Sequence, residues 1–323
     1  MKESRRLGES DLIVSPFGLG TSTWGTTTDH DAAASQLAAY LDAGGNLLDT
    51  ADVYGAGQAE RIIGRLLGTG IPRESLVLAT KSAAVIVDGK PTANASFGYL
   101  LNALDASLSR LGTDHIDLWQ LHAWDRTVSI DESLKAIETA IAAGKVRNAG
   151  VCNYSGWQTA VAAVRQAGGN SRPLASVQVE YSLLERGIER EVVPAATNLG
   201  LGILPWAPLG RGVLSAKYRH GVPEKRAENR FFKWYVGRHL NDRAAGIVEV
   251  VASVADELGT TPVAVSLAWL RDRPGVVAPL IGARTVEQLD ESLAGLDLHL
   301  PEEHRRRLDE VSAPRRGYPE VSI

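Results

Sequence analysis

Between about residue 15 and residue 295, short apolar runs alternate with longer amphipathic ones, and the alternation repeats eight times. That pattern reads as repeated βα units, because parallel strands need a long crossover, usually a helix, between neighbours. The predicted strands are Pro16–Leu19, Asn46–Asp49, Leu76–Thr80, Ile116–Leu121, Val146–Val151, Ser176–Val179, Gly202–Pro205 and Val276–Leu280. Helical periodicity follows them near 30–43, 58–68, 95–110, 130–143, 155–167, 189–198, 241–258 and 285–293. Asp31, Asp131 and Ser155 are expected to cap helix starts, and Gly44, Gly144 and Gly259 to end helices. Two further helices are expected at 262–271 and 301–311, and residues 5–13 suit a small hairpin across a barrel floor.

Eight such units with no Pro/Gly/Ser-rich linker favour an α/β fold, a (β/α)8 TIM barrel, as a single domain over residues 1–323. The rival is a doubly wound sheet, which normally carries Gly-x-Gly-x-x-Gly after its first strand. Here the first strand leads into Gly18-Leu-Gly20-Thr-Ser-Thr23, and the third glycine is missing.

Composition closes off several functions. A net charge of -4 gives no basic surface for nucleic acid. No run of about 18 apolar residues suggests a membrane span. The polar start, Met-Lys-Glu-Ser-Arg-Arg, lacks a signal peptide's apolar stretch, so a cytoplasmic protein is expected. Cys152 is the only cysteine and the seven histidines are scattered, so neither a disulfide nor a metal site is expected. Oligomeric state stays open.

In a (β/α)8 barrel, polar residues at the C-terminal strand ends share one mouth whatever their sequence separation. Asp49, Lys81 and His122 stand at three such ends, and Tyr54 follows Asp49. Together they suit protonation of a carbonyl oxygen that is gaining negative charge. A phenol with a pKa of about 10 is protonated at neutral pH but donates slowly unless a cation stabilises its phenolate. Lys81 supplies that cation, Asp49 fixes the ammonium, and His122 orients the carbonyl or the phenol. Phosphates in this fold tend to bind after strands seven and eight. Those loops read Trp206-Ala-Pro-Leu209-Gly210-Arg211-Gly212 and Ile281-Gly282-Ala-Arg284-Thr-Val-Glu-Gln288. Glycines there allow close approach of backbone N–H groups, and Arg284 suits a 2'-phosphate, pointing to NADPH rather than NADH. A merely surface-capping Arg284 is the alternative.

At these residues the chain resembles the aldo-keto reductase family along essentially its whole length. Asp49-Thr-Ala-Asp-Val-Tyr54-Gly55, Thr80-Lys81 and Leu118-Trp-Gln-Leu-His122 are similar to the family's catalytic tetrad in order and spacing. The resemblance implies Tyr54 as acid, Lys81 and Asp49 as its tuners and His122 as the orienting group. Gly57-Gln-Ala-Glu60 resembles the Gly-x-Ser-Glu that follows the tyrosine. The resemblance also implies an NADP(H) site. Gly150-Val-Cys152-Asn153 resembles Gly-Val-Ser-Asn, with Asn153 and Gln178 on the nicotinamide carboxamide and Cys152 departing from the usual serine. Trp206 would stack on the nicotinamide, Leu209, Gly210 and Gly212 would hold the pyrophosphate, and Gly282, Arg284, Gln288 and Glu291 the adenosine end. Ser292 stands where asparagine is frequent. Gly20, Thr21, Asp49 and Ala207 complete the implied cofactor contacts.

Trp24, Tyr54 and Trp124, with Phe231, Phe232 and Trp234, are the candidate walls of a pocket for a small carbonyl or alcohol substrate. Segment 83–95 is short on charge, and 210–240 is expected to cover the nucleotide as a lid. The leading reading is an NADPH-dependent reductase of aldehydes or ketones. Its alternatives are a nucleotide-sensing regulator of the channel β-subunit type, with weak or vestigial reductase activity, and a barrel aldolase or isomerase using Lys81 as a Schiff-base amine.

Overall fold

The computed structural model describes residues 3–169, 172–219, 221, 228, 235–295, 297–315 and 317–318. Its strands are β1 (Arg5–Arg6), β2 (Ile13–Val14), β3 (Gly18–Gly20), β4 (Leu47–Asp49), β5 (Val77–Ser82), β6 (Ala84–Val87), β7 (Lys90–Ala93), β8 (Ile116–Leu121), β9 (Val146–Cys152), β10 (Ser176–Glu180), β11 (Gly202–Trp206) and β12 (Leu280–Ile281). Eight of them form one sheet in the order β11-β10-β9-β8-β5-β4-β3-β12. Every pairing within it is parallel.

The ends of the sheet meet through residues 276–281. Val276 bridges Ile203 on one side, while Leu280 and Ile281 pair with Gly18 and Leu19 on the other. The eighth strand predicted at Val276–Leu280 is thus split between two neighbours, with Pro279, which has no N–H to donate, between the halves. Gly18 N–H donates to Pro279 O at 3.0 Å and keeps the seam shut. The fold is a (β/α)8 TIM barrel.

Strand periodicity sorts the side chains into two layers. Leu47, Ala79, Leu118 and Leu204 fill the barrel interior, while Leu48, Leu78, Trp119 and Ile203 pack outward against the helices. Asp49, Lys81, Gln178 and Trp206 each lie two residues beyond an inward position or a further multiple of two, so they form the next interior layer, at the mouth. The helices cover the outside at 30–42, 58–67, 97–111, 130–142, 156–167, 192–198, 242–257, 262–271, 286–294 and 302–312.

Capping differs from expectation at two helices. Asp29 and Ser129, not Asp31 and Asp131, accept the first-turn N–H groups, and the two aspartates lie inside the first turn, where their charge favours the helix dipole. Ser155 caps as expected, in a reciprocal box with Gln158. Gly44, Gly144 and Gly259 adopt φ of +81°, +73° and +61° just past their helices. Segment 83–95 is a hairpin, β6 against β7, turned through Asp88-Gly89 with both residues left-handed. That Asp-Gly pair was the available sequence signal.

β1 and β2 pair antiparallel and bring Leu7, Leu12 and Val14 onto Leu47, Ala79, Leu118 and Leu204, closing the floor. Between them Gly8 has φ +59°, and a methyl group there would come within 2.4 Å of Gly200 O and 2.7 Å of Ala175 O. Gly8→Ala is therefore expected to destabilise the protein by at least about 1–2 kcal/mol from the left-handed backbone alone. Chemical denaturation reads this as a lower midpoint; an unchanged midpoint would mean that the hairpin does not seat on the floor.

Candidate active site

Asp49 ends β4, Lys81 lies one residue before the end of β5, and His122 follows β8 directly. Lys81 has no exposed surface and Asp49 almost none. The Lys81 ammonium donates to Asp49 Oδ1 at 2.6 Å and to Thr50 O at 2.7 Å, and it lies 3.4 Å from the Tyr54 hydroxyl. All three of its N–H bonds are thereby directed. Asp49 Oδ2 accepts from Gln178 Nε2 at 2.8 Å, and Asp49 O accepts both the N–H and the hydroxyl of Thr21. Burying a charge pair is costly unless its remaining polar atoms are bonded, and here they are.

The turn after β4 aims Tyr54 at this pair. Gly55, Ala56 and Gly57 all have left-handed backbone, and Gly57 packs so closely on Arg110 that a Cβ would lie 2.9 Å from its Cδ. The Tyr54 ring meets the His122 ring edge to face, with centroids 6.0 Å apart.

Burial raises the Tyr54 pKa; Lys81 pulls it down, but not enough to offset burial and the nearby Asp49 charge. The expected tuning by Lys81 is present, yet the balance leaves a firmly protonated phenol. For Lys81, burial alone would lower the pKa, but the attraction of Asp49, with Tyr54 and Cys152, outweighs it, and the ammonium stays charged. Burial, and then the Lys81 charge, push His122 down to about 3, so its imidazole is neutral. Its Nδ1 is enclosed without a hydrogen-bond partner among the described residues. A phenol, a fixed ammonium and a neutral imidazole thus converge on one point at the mouth, as a carbonyl needs for proton donation and orientation.

The aldo/keto reductase family model matches residues 16–313. The chain belongs to the aldo/keto reductase family. It is similar to the uncharacterized oxidoreductase YrpG of Bacillus subtilis, at 37% identity over 94% of each chain. It also resembles an aldo-keto reductase of Fusarium vanettenii, at 34% identity over 95% of this chain and 88% of that one. The protein is an oxidoreductase, and its family generally uses a nicotinamide cofactor and small-molecule substrates.

This aldo/keto reductase brings some of its expected nucleotide residues to the surface of the mouth and keeps others beneath it. Asn153 is exposed with φ +58°; its amide donates to His122 O at 3.0 Å and accepts from Trp206 Nε1 at 2.9 Å. Gly20 and Gly282 have room for a side chain, since a Cβ would meet nothing closer than 3.5 Å and 3.9 Å respectively. Gly210 differs, because a Cβ there would strike Leu184 at 2.5 Å, and its N–H already donates to Ala207 O. Gly212 N–H likewise goes to Leu209 O, so these two amides serve their own turn. Arg284 and Gln288 are exposed, with Arg284 N–H donating to Gln288 Oε1 at 3.1 Å, and Glu291 is half-buried. Ser292 is buried and its hydroxyl returns to Gln288 O.

Several expected contact residues are enclosed. Trp24 has no exposed surface and donates from Nε1 to Gln36, so it is core, not a pocket wall. Thr21 and Cys152 are also fully buried; Thr21 braces Asp49, and burial pushes the Cys152 thiol pKa up. Trp124 stays partly exposed, edge-on to Tyr154 and to Trp157, itself 57% exposed. Phe231, Phe232 and Trp234 lie outside the described residues.

Sequence reasoning passed over Trp157 and Lys217, and quoted Arg211 in the loop after the seventh strand without giving it a role. A Cβ on Gly212 would lie 2.5 Å from Lys217 Nζ, so the ammonium sits directly on the glycine turn. Arg211 bonds Glu180 at 3.2 Å and stacks on Tyr235 at 3.7 Å and Trp206 at 5.3 Å. A basic residue within or just after a glycine-rich loop was the signal for both.

Lys81→Met leaves Asp49 buried beside no cation. It is expected to cost about 3–5 kcal/mol in denaturant unfolding at neutral pH, with most of the loss recovered when Asp49 is also replaced by Leu. A loss under about 1 kcal/mol would mean that the pair behaves as an exposed one.

Proposed function

We propose that the protein is an NADPH-dependent reductase of aldehydes or ketones in which Tyr54 is the general acid. The observation that carries this reading is the Lys81 ammonium, held by Asp49 and Thr50 and directed at the Tyr54 hydroxyl. As the substrate oxygen gains negative charge, Tyr54 gives up its proton and the adjacent ammonium stabilises the phenolate. His122, neutral and in edge contact with the Tyr54 ring, offers an N–H to hold that oxygen in line.

The residues of the mouth fit a nicotinamide dinucleotide. Gly20 and Gly282 leave an open surface that no internal contact requires, which suits a ligand lying across them. Trp206 is partly exposed beside Asn153, and Gln178 lies below, for the nicotinamide end. Lys217 at Gly212 supplies a cation for the pyrophosphate, with Leu209, Gly210 and Ala207 around it. Arg284, exposed and in no ion pair among the described residues, with Gln288 and Glu291 beside it, suits the 2'-phosphate end. When bound, that cofactor supplies the hydride. Trp124 and Trp157 favour substrates with an apolar or aromatic body. Among the described residues no single helix is long and apolar enough to cross a membrane, and we place the protein in the cytoplasm as one barrel domain.

The test is NADPH consumption with a panel of aromatic aldehydes, paired with nucleotide titrations of Arg284→Ala. We expect turnover with NADPH, and a loss of NADPH affinity in the variant of about tenfold or more, as for a charge-assisted contact, with NADH affected little. No consumption across the panel would contradict the reductase reading, and equal losses for both nucleotides would remove Arg284 from 2'-phosphate recognition.

A further inference from the structure

Arg211 stands in a turn that does not call for an arginine. Gly210, Arg211 and Gly212 all have left-handed backbone, with φ of +53°, +60° and +88°. A glycine at 211 would make the same turn without steric strain, so the strain points to a use for the side chain. That side chain is nearly enclosed, at 7% exposure. Its Nη1 donates to Tyr235 O at 2.8 Å and its Nη2 to Glu180 Oε2 at 3.2 Å, while Nε has no hydrogen-bond partner among the described residues. So held, the guanidinium stands over the Trp206 ring, 5.3 Å from its centroid. Trp206 and Glu180 are register partners at the ends of β11 and β10. One face of the indole thus carries a fixed cation, and its Nε1 edge is bound to Asn153.

We propose that Arg211 sets the redox preference of the nucleotide site, as a cation behind the Trp206 ring that disfavours the oxidised nicotinamide relative to the reduced one. The inference rests on the nucleotide reading above, in which Trp206 serves the nicotinamide end.

The two forms of the nucleotide carry the same phosphates and differ at the nicotinamide ring, which is positive when oxidised and neutral when reduced. Attraction between the phosphates and the cations of the mouth therefore cancels when the two affinities are compared. A charge near the ring does not cancel. Arg211 is such a charge, since a guanidinium keeps its proton throughout the working range. Glu180 offsets it only in part, because the same carboxylate also accepts from Arg238 Nη2 and lies 3.3 Å from His239 Nε2. Burial would raise the Glu180 pKa, but the bonds from His239 and Arg238 and the attraction of Arg211 hold it below its usual value. Glu180 is thus one negative charge between two guanidiniums. The excess positive charge lies beside the indole, where Arg211 and Glu180 are too enclosed for water to screen them fully. A site of this kind holds the reduced nucleotide and lets the oxidised one go, which favours carbonyl reduction over alcohol oxidation.

Equilibrium titration of NADPH and NADP+ against wild type, Arg211→Gln, Arg211→Lys and Glu180→Gln tests this without turnover. Wild type is expected to bind NADPH the more tightly. Arg211→Gln should bring the two affinities closer by at least about threefold, the size of a partly screened charge interaction, whatever it does to both together. Arg211→Lys, which keeps the charge, should restore most of the wild-type ratio, and Glu180→Gln, which removes the counter-charge, should widen it. Opposite signs at 211 and 180 separate a charge effect from damage to the turn, which would weaken both nucleotides alike. An equal loss of both in Arg211→Gln, or a ratio that does not widen in Glu180→Gln, would overturn the proposal and leave the reductase reading intact. Wild-type protein that binds neither nucleotide would overturn both.

Discussion

The ion pair between Lys81 and Asp49 sits where the barrel's interior changes from apolar to polar, and the mouth is organised around it. Below it, Leu47, Ala79, Leu118 and Leu204 exclude water. Above it, the Tyr54 hydroxyl, Asn153 and Trp206 face the opening. A charge pair at such a boundary is stable only when every remaining donor and acceptor is occupied, and Thr50, Thr21 and Gln178 meet that demand. The same bonds fix the ammonium against the phenol. The contacts that satisfy the pair are therefore the same ones the proposed proton transfer needs, on adjacent strands whose register is set by the β4–β5 ladder.

Charge in this region is finely divided. Three acids, Asp49, Asp52 and Glu60, stand near two cations, Lys81 and Arg110, around the Tyr54 phenol. Low polarity makes each unpaired charge expensive, and burial, then the Glu60 charge, raise the Asp52 pKa. Burial also decides the Tyr54 balance against Lys81. A cofactor and substrate would further exclude water and strengthen every one of these interactions.

Much of this was legible in the sequence. Seven of the eight barrel strands fall where their apolar runs place them, because a strand buried on both faces must be apolar throughout. The polar residue at each strand end marks the mouth, which is why Asp49, Lys81 and His122 could be grouped across a separation of more than seventy residues. What composition could not show was direction within a turn. Trp24 reads as an aromatic wall, but its position immediately before the tight Gly25 turn rotates it toward Gln36 and the core. Asp31 and Asp131 read as caps because the true caps, Asp29 and Ser129, are also short and polar and lie two residues earlier. Pro279 splits the eighth strand through the lack of a donor, a local effect that hydrophobic pattern does not register. Trp157 escaped notice because an apolar residue in the first turn of a helix is ordinarily core.

The central claim is that the buried pair serves the Tyr54 proton. Pre-steady-state mixing of NADPH-loaded Tyr54→Phe protein with an aromatic aldehyde, compared with wild type, tests it most directly. The account predicts nucleotide binding within about twofold of wild type and a fall in the hydride-transfer rate of at least about 10²-fold, the usual worth of a positioned acid. Transfer at the wild-type rate would contradict it.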